Sequence, residues 1–376
     1  MNSQTISSKN IIFLTNLNKN NNLQKNGITL RNERFHFLDW LRIICSFSII
    51  LIHVAAQKWY VCPIKSHEWK IFSFYNGIAR FGVPIFFMIS GTIFFEKNIS
   101  FSIMIKRYIK RIIIHLIFWS FFYSLRKKIL NNHSYKYTFI LFLDGYYHLW
   151  FLFRISGLYL ITPFLKEINE NEKFTLFLIS NFIFGFLFRN LLSFLFYYSK
   201  DYYNIINKIN EKIALNGFFN DNIFYYMFGF YLNKKKLRPF LRSIIYILGI
   251  CGMIFTFKMT YYVSIKKNNK IGFYSPYYIN IFFTSIAIFI FFKYNFNDLK
   301  YKKRIKEFIQ KLASLTFGIY IIHPFVIEEL NIRIKLNSLS FEPLYSIPTN
   351  SLLIFLISSL IVYFFKFIPF IKQYIF

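Results

Sequence analysis

A largely apolar stretch, Leu38 to Gln57, contains Asp39 near its start and two basic residues within it, Arg42 and His53. A stretch of about 20 residues is long enough for an α-helix to cross the hydrocarbon core of a bilayer. Ionisable groups are costly there, so they pair with one another, line a cavity or take part in chemistry. Arg42 and His53 are eleven residues apart and therefore share one helix face, with Asp39 one turn before Arg42. The stretch predicts a membrane helix whose polar face lines a chamber within a helical bundle.

Similar apolar runs recur along the whole chain and predict an all-α fold, a polytopic membrane bundle of about ten transmembrane helices. Lys and Arg are more numerous in the N-terminal segment and alternate loops than in the opposite loops, which predicts that both termini lie in the cytoplasm. The sequence shows no inverted repeat of the kind found in many transporters. The predicted spans are 38–57, 75–95, 108–126, 147–165, 174–190, 217–233, 240–258, 277–293, 311–331 and 350–370.

The formal charge of +30 does not indicate a nucleic-acid-binding protein. The basic residues fall in short loops between apolar runs and form no single basic domain. Lys, Asn, Ile, Phe and Tyr are abundant together, as A/T-rich codons would produce. The three cysteines show no paired spacing, so neither a metal site nor a disulfide framework is predicted. Residues 1–33 are predicted to form a disordered cytoplasmic tail without the features of a signal peptide.

Four ionisable side chains are predicted to reach the same depth in the outer half of the membrane. The first span runs outward, so Arg42 is near its cytoplasmic end and His53 lies about 16 Å further out. Arg80, Arg154 and His323 come to a similar level on the second, fourth and ninth spans. Each of them alone could be a structural hydrogen-bonding residue, or an arginine that reaches the interface. Together they favour a shared polar chamber.

Several segments resemble the acyltransferase family 3 of integral-membrane enzymes. The segment LDWLRIICSFSIILIH (38–53) is similar to that family's first-helix signature, in which ten residues separate Arg and His. The order and spacing of the segments are most similar to the group that O-acetylates enterobacterial common antigen. The resemblance covers residues 34–376 as one transmembrane domain. The other similar segments are ARFGVPIFFMISGTIFF (79–95), YYHLWFLFRISGLYLITPFL (146–165), FFNDNIFYYMFGFYL (218–232) and FGIYIIHPFVIEEL (317–330).

The resemblance implies a multi-pass enzyme of the bacterial inner membrane that moves an acetyl or other short acyl group. The implied donor is acetyl-CoA, no metal is expected, and the implied acceptor is a hydroxyl of a lipid-linked sugar or surface-polysaccharide precursor. A transporter or flippase of sugar-lipids is the alternative, because it could use the same basic chamber without a general base. The sequence does not identify the acceptor sugar, the acyl chain or the oligomeric state.

Acyl transfer from a thioester to a hydroxyl needs a base, donors for the developing oxyanion and exclusion of water. His53 is the best candidate base because imidazole titrates near neutrality. His323 is a weaker candidate, since a lone membrane histidine also serves to join helices. Arg80 could hold an oxyanion or a sugar-lipid phosphate with its fork of donors.

The donor is expected at the cytoplasmic end. Arg42 is predicted to guide the coenzyme into the chamber, although Asp39 and Arg42 could instead form a structural ion pair. The coenzyme phosphates are expected to meet a basic segment that could alternatively anchor the chain to anionic lipid. Ser90 and Gly91 predict either close helix packing or room for the pantetheine arm. The residues of the basic segment are Lys106, Arg107, Lys110 and Arg111.

The acceptor is expected to meet His148, Trp150, Arg154, Asp221 and His323. Trp150 could stack on a sugar ring or belong to the aromatic belt of the interface. Asp221 could bind an acceptor hydroxyl or cap the sixth predicted helix.

Overall fold

The computed structural model describes residues 35–97, 99–169, 173–188, 190–191, 221–297 and 302–368. These residues are helical throughout, with no β-strand among them, which confirms the predicted fold class. The predicted tail, 1–33, lies outside the described residues. The helices are α1 His36–Ala56, α2 His67–Ile78, α3 Gly82–Glu96, α4 Phe101–Asn131, α5 Tyr135–Asp144, α6 Trp150–Asn169, α7 Lys173–Phe188, α8 Asp221–Lys234, α9 Pro239–Lys267, α10 Ile279–Phe296, α11 Lys303–Ala313, α12 Thr316–Ile334 and α13 Pro343–Phe365.

Six helical segments of the described part are long and apolar enough to cross a membrane: α1, α2 with α3, α4, α9, α10 and α13. A seventh span results if α11 and α12, which meet at a bend of 56°, are counted together. Helices α6, α7 and α8 occupy the predicted fourth to sixth spans, but α7 and α8 are shorter. The predicted count of ten and the cytoplasmic position of both termini therefore stay predictions.

The helix with the Arg42 and His53 face, α1, lies among α2, α3, α10, α12 and α13. In contrast, α9 has only 17% of its most apolar window buried and belongs to the outer surface of the bundle. The central position of α1 follows from its sequence, because its polar face requires protein neighbours whereas an all-apolar helix can face lipid.

Two local irregularities bring functional side chains into the bundle. The span formed by α2 and α3 is broken at 79–81, and the break carries Arg80. Non-helical backbone within a membrane is tolerated where it is enclosed by protein or lines a cavity. The second irregularity is Gly145, whose φ of +73° turns the chain after α5 into Tyr146, Tyr147 and His148. A side chain at position 145 would strain this turn.

Candidate active site

The polar face of α1 begins with an ion pair. Arg42 Nη1 lies 2.9 Å from Asp39 Oδ1, and Asp39 is almost fully buried whereas Arg42 is 29% exposed. The structural pair that the sequence allowed is therefore present. It does not exclude a binding role, since Arg42 also lines a cavity.

This cavity, called here the Arg42 cavity, has a volume of about 400 Å³. Its basic side chains are Arg42, Lys97 and Arg111, and it has no Asp or Glu in its described lining. Apolar and aromatic residues make up most of the remaining wall, with hydroxyl groups at a few points. An apolar pocket with a few cations at one end suits a long ligand with an anionic head. The remaining lining residues are Phe86, Ile89, Ser90, Ile93, Phe94, Tyr108, Ile112, Phe151, Ile155, Tyr159, Ser314, Thr316, Phe317 and Tyr320.

Of the predicted basic segment, only Arg111 lines the Arg42 cavity. Lys106, Arg107 and Lys110 are exposed, and the Arg107 guanidinium lies 5.8 Å from the ring of Tyr108. The π-helical stretch Met104–Ile109 within α4 contains Lys106 and Arg107, whereas Lys110 and Arg111 lie in the α-helical part that follows it.

Ser90 and Gly91 serve two different surfaces of α3. A Cβ added at Gly91 would overlap the backbone carbonyl of Tyr226 in α8, so only glycine lets these helices approach so closely. Gly229 of α8 faces the backbone of Met88 in the same way. Ser90 lies on the cavity wall and hydrogen-bonds with Tyr159. The motif therefore combines the two features that the sequence presented as alternatives.

Three histidine rings meet at the end of α1 that is distant from Arg42. The His53 ring stacks on the His323 ring at 5.2 Å between centroids, and His148 meets His323 edge-on at 5.6 Å. Tyr147 contacts His53, and Tyr320 contacts both His148 and His323. The sequence placed His53 and His323 at the same depth without showing that they face one another, and it did not predict the two tyrosines.

Backbone carbonyls of α12 orient two of these rings. His323 Nδ1 lies 3.2 Å from the Ile319 carbonyl oxygen, and His148 Nε2 lies 3.0 Å from that of Ile321. A carbonyl only accepts hydrogen bonds, so each of these nitrogens carries the proton of a neutral ring. His323 Nε2 and His148 Nδ1 are buried and have no partner among the described residues. In a neutral ring, each of these two nitrogens carries the lone pair and faces neighbouring side chains.

The Arg42 cavity ends against this histidine cluster. Tyr320 and Phe151 line the cavity and contact each other, with ring centroids 5.5 Å apart. The Tyr320 hydroxyl donates to the backbone carbonyl of His148. The Tyr320 ring therefore belongs both to the wall of the Arg42 cavity and to the surroundings of the His148 and His323 imidazoles.

A second cavity, called here the Arg80 cavity, has a volume of about 340 Å³ and is lined by Ala56, one turn after His53. Arg80 donates to Asn76 Oδ1 and stacks its guanidinium over the Tyr274 ring at 4.5 Å. Arg80 and His53 are close enough to interact electrostatically. His53 itself lines neither cavity; it contacts His323 on the side of the histidine cluster and interacts with Arg80 of this second cavity. The remaining lining residues are Trp59, Tyr60, Lys270, Gly272, Ser275 and Pro276.

Three predicted acceptor residues lie outside the histidine cluster. Arg154 and Trp150 are exposed on α6, and neither contributes to the described lining of the two cavities. Asp221 is buried in the first turn of α8, where a carboxylate interacts favourably with the helix dipole. The predicted layer therefore comprises His53, His323 and Arg80, with His148 in place of Arg154.

An ion-pair cluster that the sequence analysis missed adjoins the histidines. Arg126 pairs with both Glu328 and Glu329, and the Tyr146 hydroxyl donates to Glu328. The Tyr146 ring contacts the His148 ring at 5.6 Å. Among the described residues, no group of three or more His, Cys, Asp or Glu could hold a metal ion.

Comparison with protein families shows the family to which the chain belongs. The model of the Acyl_transf_3 family, described as an acyltransferase domain, matches residues 35–369. The chain belongs to the acyltransferase 3 family. With its apolar helices, it is a multi-pass membrane protein with an acyltransferase domain.

Known relatives are distant. The chain is 25% identical over 321 residues to a probable poly-beta-1,6-N-acetyl-D-glucosamine export protein of Staphylococcus aureus strain MSSA476, covering 78% of this chain and 82% of the relative. The protein of the same description from strain Mu50 is 25% identical over 322 residues, with the same coverage of both chains. No solved structure matches the chain.

Proposed function

We propose that this protein transfers an acetyl or other short acyl group from acyl-CoA to a hydroxyl of a lipid-linked sugar or surface-polysaccharide precursor in the bacterial inner membrane. The observation that carries the proposal is the continuity between the Arg42 cavity and the histidine cluster through Tyr320 and Phe151. A donor with an anionic head and a reactive thioester needs this combination of basic entrance and buried imidazole.

In this proposal the coenzyme phosphates meet Arg42, Lys97 and Arg111, which supply charge-assisted hydrogen bonds. The pantetheine arm passes Ser90 and Tyr159 toward Tyr320. Exposed Arg107 and Lys110 attract the coenzyme to the entrance without lining it.

His53 acts as the general base in the proposed reaction. It takes the proton of the acceptor hydroxyl as the oxygen attacks the thioester carbonyl, and a C–O bond forms. The tetrahedral intermediate then releases the coenzyme thiolate, the C–S bond breaks, and the proton passes from His53 to sulfur. Arg80 interacts electrostatically with His53 and suits the stabilisation of negative charge on the acceptor side.

Acetyl as the acyl group, and enterobacterial common antigen as the acceptor, are supported by the similarity of the sequence segments alone. A surface polysaccharide acceptor has additional support, because the description of the relatives names a polysaccharide. We also propose His148, Trp150, Arg154 and Asp221 as acceptor contacts. Trp150 and Arg154 are exposed, so His53 and Arg80 have more structural support as acceptor contacts than these residues do.

A transporter or flippase of sugar-lipids is the second candidate function, favoured by the description of the relatives as export proteins. Export requires a polar passage but no general base. The orientation of His323 and His148 by backbone carbonyls favours chemistry, because a passage does not need a fixed imidazole tautomer.

The test is transfer of labelled acetyl from acetyl-CoA to surface-glycan precursors in membrane vesicles. His53→Gln should lower the rate about 10²-fold or more, the loss expected for a missing general base. His133→Gln is the matched control, since His133 is partly exposed, lines neither cavity and has its ring contacts with Asn131 and Tyr137, outside the histidine cluster. Near-normal transfer by a well-inserted His53→Gln protein would contradict the base role. Translocation of a labelled sugar-lipid with no acylated product would favour the second candidate.

His323→Gln distinguishes the two histidines. A loss as large as that of His53→Gln would make His323 the base in place of, or together with, His53. A loss of only a few-fold, with unchanged protein yield, would assign it to support of the His53 ring.

A further inference from the structure

The charge of Arg80 is not balanced by any carboxylate of the described residues. Its Nη2 donates to the amide oxygen of Asn76, its guanidinium faces the Tyr274 ring, and its buried Nε has no hydrogen-bond partner. Such a group is costly to bury unless it is paired or fully hydrogen-bonded. An incompletely satisfied guanidinium beside an open cavity is expected where an anion binds.

A second cation reaches the same cavity from another part of the chain. Lys270 lies after α9 and places its Nζ 2.5 Å from the Tyr60 carbonyl oxygen. The described lining of the Arg80 cavity contains two cations and no Asp or Glu. The volume of 340 Å³ falls within the range of roughly 300–1,000 Å³ typical of small-ligand pockets.

The loop that carries Lys270 and Tyr274 is held in place by side chains of α9. The backbone N–H of Ile271 donates to Ser264 Oγ at 3.0 Å, and that of Phe273 donates to Thr260 Oγ1 at 3.2 Å. Cation and ring are therefore held in position before any ligand arrives, which lowers the entropic cost of binding.

We infer that the Arg80 cavity is a phosphate site that holds the acceptor by an anionic group while the sugar hydroxyl reaches His53. The two cations suit a phosphate or diphosphate, because Arg and Lys can engage different oxygens of one polyvalent anion. This inference deepens the proposed function and rests on it in one respect, namely that the bound phosphate compound is the acceptor of the acyl group. An unphosphorylated neutral polysaccharide would leave both cations without an anionic partner.

The experiment measures anion binding directly, in the absence of acyl-CoA. The full chain is purified in phosphatidylcholine nanodiscs and titrated with farnesyl diphosphate or with inorganic pyrophosphate. A third arm repeats the farnesyl diphosphate titration in nanodiscs that contain phosphatidylglycerol. Tighter binding of farnesyl diphosphate than pyrophosphate supports an isoprenoid-linked phosphate, equal binding supports a soluble phosphate ligand, and competition by phosphatidylglycerol supports a bilayer lipid headgroup at the same site.

The variants are Arg80→Gln and Lys270→Gln, with Arg242→Gln as the matched control. Arg242 also stacks on a tyrosine ring, Tyr294 at 4.3 Å, and also has a buried Nε without a partner, but it lines neither cavity. Diphosphate affinity should fall at least tenfold in Arg80→Gln, a few-fold in Lys270→Gln and not at all in Arg242→Gln. Equal affinity in wild type and Arg80→Gln, or an equal loss in the control, would overturn the inference.

A surface variant keeps the test valid if Arg80→Gln fails to fold. Lys270→Glu reverses a charge at a partly exposed position and should weaken diphosphate binding more than Lys270→Gln does. Unchanged binding in Lys270→Glu would contradict the site. The binding assay contains no acyl donor, so its result is independent of the transfer assay in vesicles. Arg80-dependent diphosphate binding, combined with no acyl transfer in the vesicle assay, would preserve the phosphate site and contradict the proposed reaction alone.

Discussion

Gly91→Ala should destabilise the protein because it forces α3 away from α8. The added methyl would overlap the carbonyl oxygen of Tyr226, a backbone atom that cannot rotate aside. The helices would have to separate until the methyl reached ordinary contact, about 3.5 Å. Overpacking costs about 1–3 kcal/mol, and a backbone obstacle justifies the upper value. Alanine returns about 1 kcal/mol of helix propensity, which leaves a net loss of about 2 kcal/mol.

The matched control is Gly157→Ala on α6, where an added methyl meets no atom within 4 Å. Its only expected effect is a gain of up to about 1 kcal/mol from helix propensity. The two variants should therefore differ by about 3 kcal/mol, or roughly a hundredfold in the unfolding equilibrium. Reversible unfolding in mixed detergent micelles measures this difference. Equal stability of Gly91→Ala and Gly157→Ala would refute the close approach of α3 and α8.

Three further outcomes are expected. Arg42→Lys should raise the KM for acyl-CoA about tenfold, because an ammonium cannot replace the two parallel hydrogen bonds of a guanidinium; reduced protein yield with an unchanged KM would instead show that the pair with Asp39 is structural. Tyr320→Phe removes the hydroxyl that donates to the His148 carbonyl and should lower kcat several-fold, by about 1 kcal/mol, with little change in donor affinity; an unchanged kcat would contradict this. Arg126→Met should lower the free energy of unfolding by about 1–2 kcal/mol, a value discounted for the partial exposure of its two glutamate partners; stability equal to wild type would show that the ion pairs contribute little.

Helical periodicity explains why part of the site was predictable. Arg42 and His53 belong to one helix, so their common face follows from their spacing, and the apolar residues around them require that this face be enclosed. The common depth expected for His53 and His323 follows from the rise of a helix and the direction of each span. Their ring contact is a finding of the structure, because depth does not show which side chains face one another. The α-helical class followed from the length of the apolar runs.

The remaining features depend on contacts between distant parts of the chain. The turn at Gly145 brings Tyr147 and His148 against α12, and no periodic pattern encodes that position. Arg154 fulfils the depth argument but is exposed on α6, since depth says nothing about the direction in which a helix face points. The pairing of Arg80 with the ring of Tyr274 also joins elements far apart in sequence.

The aromatic contacts of His53 bear on the difference between acyl transfer and hydrolysis in the proposed reaction. A thioester that reaches the imidazole together with water would lose its acyl group to water. In this protein the rings of Tyr147 and His323 contact His53, and Tyr320 contacts His323 from the wall of the Arg42 cavity. Tyr147 is half-exposed, so its ring is the part of this aromatic contact that faces outward, and it would limit the entry of water to His53. In the proposed reaction the acceptor hydroxyl arrives from the Arg80 cavity, whose lining residue Ala56 lies one turn beyond His53. Smaller side chains at Tyr147 should therefore raise the ratio of acyl-CoA hydrolysis to acyl transfer, and an unchanged ratio would show that water is excluded elsewhere.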